Sequence, residues 1–428
     1  MDRTAIEQLI EWKERKNRKP LVVRGARQVG KTWLLKEFSK LYYEKTVYIN
    51  FEKNELAKRL FEQDFDIWRI LRSVSLMEDV DIDEQTLLIF DEIQEAPRGI
   101  TSLKYFYEDA PQYQIIAAGS LLGISMHQKD SFPVGKVDFM DLYPLSFHEY
   151  LLATGNERFT ALLKEKDWET ITLFKEKLTT LLKEYFFIGG MPEVVDSFVR
   201  NVDFNEVRRL QLQILDAYDR DFSKHAPISE VPRIRMVWKS IHGQLTKENK
   251  KFIYGMIKEG ARAREFELAI EWLLDAGLIY KILRIKKGEM PLSGFVDFAA
   301  FKLYLLDTGL FCAMGNLPAK ILIEGNLLFS QFKGAVTEQY VLQQLIARKL
   351  YPYYWSSENS KGEVDFIIQH EDTIVPIEVK AEENLQSKSL RAFIHRYPAL
   401  HGVRFSMSDF RQQEWMTNYP LYALPYVI

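Results

Sequence analysis

The chain has 428 residues, 47% of them hydrophobic and 27% charged, with 57 Lys and Arg against 60 Asp and Glu for a net charge of −3. This is enough apolar material for two to four domains of roughly 100 to 200 residues each, and the balance excludes a wholesale polycationic nucleic-acid binder while leaving room for a local basic face. A single cysteine, Cys312, excludes an internal disulfide, and the seven histidines show no HxxxH spacing that would suggest structural zinc, so a reducing, cytoplasmic setting is expected.

The first residues include Asp2, Arg3 and Glu7 and lack an apolar h-region, and no apolar run reaches the roughly 20 residues of a membrane span. Neither a secretory signal nor a membrane segment is expected. Leu21-Val22-Val23 then reads as a short strand, followed by Arg24 and the loop Gly25, Ala26, Arg27, Gln28, Val29, Gly30, Lys31, Thr32, and by the helical pattern Trp33 to Phe38. Strand, GxxxxGKT loop and helix together form a phosphate loop. Its glycines let successive N–H groups and a helix N-terminus wrap an anion, with Lys31 reaching β- and γ-phosphates and Thr32 a Mg²⁺ ion.

Thr46 to Phe51 is a further strand candidate, and Leu103 to Tyr107, following Pro97, a helix. Leu87 to Phe90 is wholly apolar, as a strand buried on both faces of a parallel sheet should be, and it ends in Asp91-Glu92. This is a Walker B pattern. Asp91 is placed to hold Mg²⁺ through water and Glu92 to polarise the water attacking the γ-phosphate. A third strand, Gln114 to Ala118, ends in Gly119-Ser120, where Ser120 is either a γ-phosphate sensor or a helix N-cap. Strands alternating with helices predict a doubly wound α/β sheet with its site at the strand C-termini.

Arg24 to Thr32, Phe90-Asp91-Glu92-Ile93-Gln94, Gly119-Ser120 and Leu142 to Glu149 together resemble the AAA-type ATPases of bacteria and archaea that carry a poorly understood C-terminal extension. The resemblance runs along essentially the whole chain. It implies an AAA+ core over residues 1–150, closed by Leu142 to Glu149, with ATP and Mg²⁺ bound and hydrolysis carried by Lys31, Thr32, Asp91 and Glu92, with Ser120 as sensor. It also implies a homo-oligomer, because in many such enzymes an arginine from a neighbouring subunit completes the transition state. No arginine here stands out for that task.

From Phe147 to Phe222 leucines and aromatics recur at helical intervals, broken by Gly189-Gly190-Met191-Pro192, which reads as a turn; residues 151–228 are expected to form a helical lid. Residues 233–264 hold nine Lys and Arg against Glu248 and Glu259. A helix to Ala276, Gly277, and strands over residues 278–284 and 302–305 suggest a winged-helix-like module at 229–312, whose lysines and arginines would meet DNA phosphates. The competing reading is a module that packs on protein, its charges merely solvated.

At the C-terminal end an amphipathic helix containing Glu338 precedes Val364-Asp365 and then Glu378-Val379-Lys380. Alternation puts Glu378 and Lys380 on one strand face, and a hairpin through residues 369–373 brings Asp365 alongside. The order resembles the PD-(D/E)xK restriction-endonuclease core, so residues 313–428 are expected to form an α/β nuclease-like domain. There Asp365 and Glu378 would bind Mg²⁺, Glu338 would assist, and Lys380 would position water or stabilise charge. An ion-paired cluster in which Lys380 only neutralises the two acids is the bland alternative. Trp415, Tyr419, Tyr422 and Tyr426 read as packing for an edge strand, and Asp307-Thr308-Gly309 as a turn or helix start. The expected function is an ATPase whose cycle is coupled to nucleic-acid binding or processing; the alternative is a nucleotide-regulated binding or signalling module with a silent nuclease-like domain.

Overall fold

The computed structural model describes residues 2–120, 122–125, 133, 135–247, 250–324, 330–357, 362–382 and 386–428; Glu248 of the basic stretch lies outside them. The chain divides into two units. One is Arg3–Tyr143 with Asp275–Gly277, and the other is chiefly Pro144–Leu274 with Leu278–Ile428.

The first unit is built on strands β1 (Leu21–Arg24), β2 (Thr46–Asn50), β3 (Leu87–Asp91), β4 (Gln114–Gly119) and β5 (Asp138–Asp141), in the order β2-β3-β4-β1-β5. Every pairing is parallel. The central strands β3 and β4 are buried at every position, as their unbroken apolar runs require. Helical crossovers return the chain between parallel strands, among them Lys31–Tyr42, Ile67–Glu78 and Pro97–Asp109. Their starts are set locally. Asp66 caps one by accepting from the backbone N–H groups of Trp68 and Arg69, and Pro97 opens another at its first position. Phe90 joins Phe51 and Phe61 edge-to-face in the core on one side of the sheet. Because β4 alone separates β1 from β3, the ends of all three lie side by side on one sheet edge. That edge carries the loop, Asp91-Glu92 and Ser120.

The second unit carries an eight-stranded sheet of β6 (Ile279–Ile285), β7 (Val296–Leu305), β8 (Tyr353–Ser356), β9 (Glu363–His370), β10 (Thr373–Val379), β11 (Gly402–Ser406), β12 (Arg411–Gln412) and β13 (Met416–Pro420), ordered β12-β13-β11-β10-β9-β8-β6-β7. The unit's helices include Lys175–Ile188, Phe204–His225, Val231–Leu245 and Ser330–Ala347. The two strands expected to form a separate winged ribbon do pair as an antiparallel hairpin. The β6 edge of that ribbon is paired as well. β6 also pairs in parallel with β8, Arg284 opposite Tyr354 and Ile285 opposite Trp355, so the ribbon is continuous with the C-terminal sheet. The reason is burial: Ile285 packs with Trp355, Val364, Ile367, Leu390 and Phe393 in a single core.

Two sequence readings find local explanations. Asp307 caps the helix Thr308–Met314 through the Leu310 N–H and accepts a second bond of 2.6 Å from the Gly190 N–H, so the Asp-Thr-Gly triplet starts a helix. Of the C-terminal aromatics, Tyr422 is buried and Tyr419 packs at a tilt against Phe410 and Trp168, which is packing.

Candidate functional site

The phosphate loop takes its shape from backbone conformations that few side chains allow. Gly25, Gln28 and Gly30 all have positive φ, and a Cβ on Gly25 would sit 2.3 Å from the Leu142 carbonyl oxygen. Ala26 and Val29 are buried, so their side chains anchor the loop. Lys31 opens the following helix at its N-terminus and is 6% exposed. Its ammonium donates to the carbonyls of Gly25 and Ala26, both at 2.8 Å. Burial pulls its pKa down to about 8, opposed by the carboxylates of Glu92 and Asp91. Among the described residues its hydrogen-bond acceptors are neutral carbonyls, and a phosphate group would bring a negative charge into direct contact with it.

Thr32 and the end of β3 meet directly: the Thr32 hydroxyl donates to Asp91 Oδ2 at 2.7 Å. The Tyr48 hydroxyl, from β2, donates to the same oxygen at 2.6 Å, and the Glu92 N–H donates to Asp91 Oδ1 at 3.1 Å. Glu92 sits in the left-handed region at φ 52°, and its Oε2 accepts from Gln94 Nε2 at 2.5 Å and from Ser120 Oγ at 3.2 Å. Lys31, Thr32, Asp91, Glu92 and Ser120 are therefore gathered as the motifs require. Tyr48 was missed because it belongs to no motif, and only alternation along β2 could have flagged it; Gln94 was quoted within Phe90 to Gln94 but given no task. The oxygens of Thr32 and Asp91 are hard donors of the kind Mg²⁺ takes, so the residues fit that ion.

The C-terminal residues also converge. Ile377 pairs with Phe366 across the β9–β10 hairpin, so Asp365 and Glu378 fall at the next rung. Asp365 Oδ2 accepts the Val379 N–H at 2.8 Å, and Lys380 Nζ lies 2.9 Å from Glu378 Oε1. Glu378 is 4% exposed, and its second oxygen is buried with no hydrogen-bond partner among the described residues. Glu338, 5% exposed, accepts from Lys250 Nζ on one oxygen and from the Tyr304 hydroxyl at 3.2 Å on the other. Lys302, fully buried on β7, pairs with Glu363 at 2.5 Å and lies over the Tyr354 ring. Burial, reinforced by the Glu338 carboxylate, pushes Asp365 up to about 8. Lys250, Lys302, Tyr304 and Glu363 were not foreseen. Lys250, Lys302 and Tyr304 come from a loop and a strand far away in sequence, while Glu363 sits two residues before Asp365 on β9; no local pattern marks any of them.

Carboxylate oxygens are the right chemistry for a divalent cation, and the open oxygen of Glu378 fits one. Among the described residues, no three or more His, Cys, Asp or Glu side chains are grouped in a metal-holding arrangement. The basic stretch is partly spent on internal pairing: Arg233 with Glu230, Arg235 with Asp219 and Lys250 with Glu338.

Residues 17–151 match the family model described as AAA domain, and residues 179–321 and 333–424 match two domains of unknown function, DUF8612 and DUF4143. No curated relative matches the chain. Similar solved structures include the Walker-type ATPase PABY2304 of Pyrococcus abyssi, at 15% identity and TM-score 0.47, covering 73% of this chain and 95% of that one. The ORC1 protein of Aeropyrum pernix in complex with DNA is similar at 14% identity and TM-score 0.27, covering 73% and 91%. Cdc6p of Pyrobaculum aerophilum is similar at 10% identity and TM-score 0.26, covering 75% and 94%. The family match, falling on the unit that carries the phosphate loop, supports a nucleotide-binding, ATPase-type AAA domain. No described helix is long and apolar enough to cross a membrane.

Proposed function

We propose that the first unit binds ATP and hydrolyses it. The observation that carries this reading is the contact between two separate motifs, Thr32 Oγ1 on Asp91 Oδ2 at 2.7 Å, beside a buried Lys31 whose ammonium donates to the neutral carbonyls of Gly25 and Ala26. The loop N–H groups and Lys31 bind the β- and γ-phosphates; Thr32 and Asp91 hold the Mg²⁺, which when bound neutralises charge developing on the phosphates. Glu92 orients the attacking water once its carboxylate is released from Gln94 and Ser120, and Ser120 reports on the γ-phosphate. Phosphate release with Mg²⁺ and ATP tests the reading: Lys31→Ala and Glu92→Gln should each lower turnover at least 100-fold, and Glu92→Gln should retain ATP binding. Turnover undiminished in both would overturn it.

We further propose that the second unit, a nuclease-like α/β module with a helical lid and a middle region contacting DNA, uses this cycle to act on nucleic acid, with Asp365 and Glu378 holding Mg²⁺ and Glu338 and Lys380 assisting. Support comes from the hairpin register that juxtaposes Asp365 with Glu378-x-Lys380. Mg²⁺-dependent cleavage of single- and double-stranded DNA and RNA, lost in Asp365→Ala, is the expected result. Identical traces for wild type and variant would favour the second reading, a nucleotide-regulated binding or signalling module whose nuclease-like domain is catalytically silent; under either reading we propose a homo-oligomer in a reducing, cytoplasmic setting.

A further inference from the structure

Gln94 sits on a short turn of helix, Ile93–Glu95, directly after β3, and the turn is pinned by Ile93, which is buried in the core of the first unit. Its carboxamide bridges two strand ends. On one side Nε2 donates to Glu92 Oε2 at 2.5 Å. On the other, Oε1 is packed against the end of β4, where a Cβ on Gly119 would sit 2.2 Å from it and 2.9 Å from Leu122 Cγ. A side chain at position 119 would therefore push the amide out. The orientation of that amide follows from its partner: an ionised carboxylate accepts and cannot donate, so the NH2 group faces Glu92. The carbonyl oxygen is left buried with no hydrogen-bond partner among the described residues. A bare buried carbonyl costs free energy, and the charge-assisted bond to Glu92 is what offsets it here. Ser120 Oγ is a second donor to the same Glu92 oxygen, at 3.2 Å.

We propose that Gln94 is a brake on hydrolysis, a positioning residue that holds the Glu92 carboxylate away from the attacking water and so sets the rate at which bound ATP is cleaved. The proposal rests on the reading of the first unit as an ATPase, and goes beyond it by naming the group that limits the rate. The two donors on Glu92 Oε2 differ in what else they can reach. Ser120 follows the end of β4, where the γ-phosphate is expected, and its hydroxyl can turn from Glu92 to that anion. Gln94 is held by its contact with Gly119, and among the described residues its NH2 group donates to Glu92 alone. Binding of the nucleotide thus draws off the Ser120 bond, while the shorter Gln94 bond must break before each cleavage.

Two variants of the full chain test it. Gln94→Met keeps the length of the side chain and removes the donor; Gln94→Glu keeps the shape and sets a second carboxylate against the first. Saturated with MgATP, both should cleave a single bound equivalent about fivefold faster or more, with affinity for a non-hydrolysable ATP analogue within twofold of wild type. A binding measurement without turnover separates the brake from a packing effect. MgADP with aluminium fluoride, a mimic of the phosphoryl group in transfer, should bind several-fold tighter to the variants, because that state needs the freed Glu92 and the analogue complex does not. Damage to packing lowers both readouts, so a rise in either variant supports the brake. Unchanged or slower cleavage together with unchanged or weaker fluoride-complex binding in both variants overturns it and leaves hydrolysis in place. No cleavage and no analogue binding by wild type and variants alike removes the ATPase reading and the brake with it.

Discussion

Lys31 is the side chain whose charge state the account constrains most. Its pKa of about 8 lies below the ordinary lysine value of 10.5, the main cause being burial. The folded state is therefore penalised for carrying the charge below pH 8, and the penalty is relieved as pH rises from about 8 to 10.5, where the unfolded chain still binds the proton. A bound triphosphate reverses the balance by favouring the ammonium, so affinity should weaken as pH rises above about 8, roughly tenfold between pH 7 and 9 when the bound-state pKa is well above 9. Calorimetric titrations with a non-hydrolysable ATP analogue across that range check it; a flat profile would mean that Lys31 does not meet the phosphates. Tyr48 gives a second test. Tyr48→Phe removes a charge-assisted bond to Asp91 and should cost about 1–2 kcal/mol of urea stability, with a higher Mg²⁺ requirement for turnover. Lys31, Thr32, Asp91 and Glu92 were legible because each sits in a short contiguous motif whose chemistry demands its residue type. Tyr48 and Lys250 were not, because their partners lie 43 and 88 positions away and only the fold joins them.

Strands tell the same story at greater length. β3 and β4 were readable as buried parallel strands because an all-apolar run leaves no face for water. Phe90, 1% exposed and ringed by Phe51, Phe61 and Phe106, should cost about 3–5 kcal/mol when cut to Ala, measured by denaturant unfolding. The β6–β7 pair was readable as a hairpin but not as the continuation of a larger sheet. Helix, glycine and two antiparallel strands look alike in a free-standing wing and at a sheet edge, and the parallel pairing to β8 joins residues some seventy positions apart. Ile285→Ala separates the two cases. Fully buried in the C-terminal core, it should cost about 2–4 kcal/mol, whereas at the exposed rim of an isolated ribbon the loss would stay near 0.5 kcal/mol.

Across the molecule two chemistries stand in two units, and the proposed function couples them. The AAA domain match and the phosphate loop fall in the first unit; the acid cluster, the two domains of unknown function and the basic stretch fall in the second. Coupling predicts that DNA raises the rate of ATP hydrolysis several-fold and that Asp365→Ala leaves the DNA-free rate within twofold of wild type. A rate indifferent to DNA and RNA alike would favour the binding-module reading. The spread of lysines and arginines over residues 233–264 suggested a DNA face in the sequence, but charge counts do not show which cations are already paired, as Arg235 and Lys250 are.

All of this depends on the first unit taking up a nucleoside triphosphate. Isothermal titration of the folded full-length protein with MgATP, beside Lys31→Ala of equal thermal stability, measures it directly. The account predicts saturable binding of one nucleotide per chain by the wild type and at least a 30-fold weaker Kd, about 2 kcal/mol, in the variant. Absence of saturable heat in the wild type, or indistinguishable isotherms for the two proteins, would contradict it.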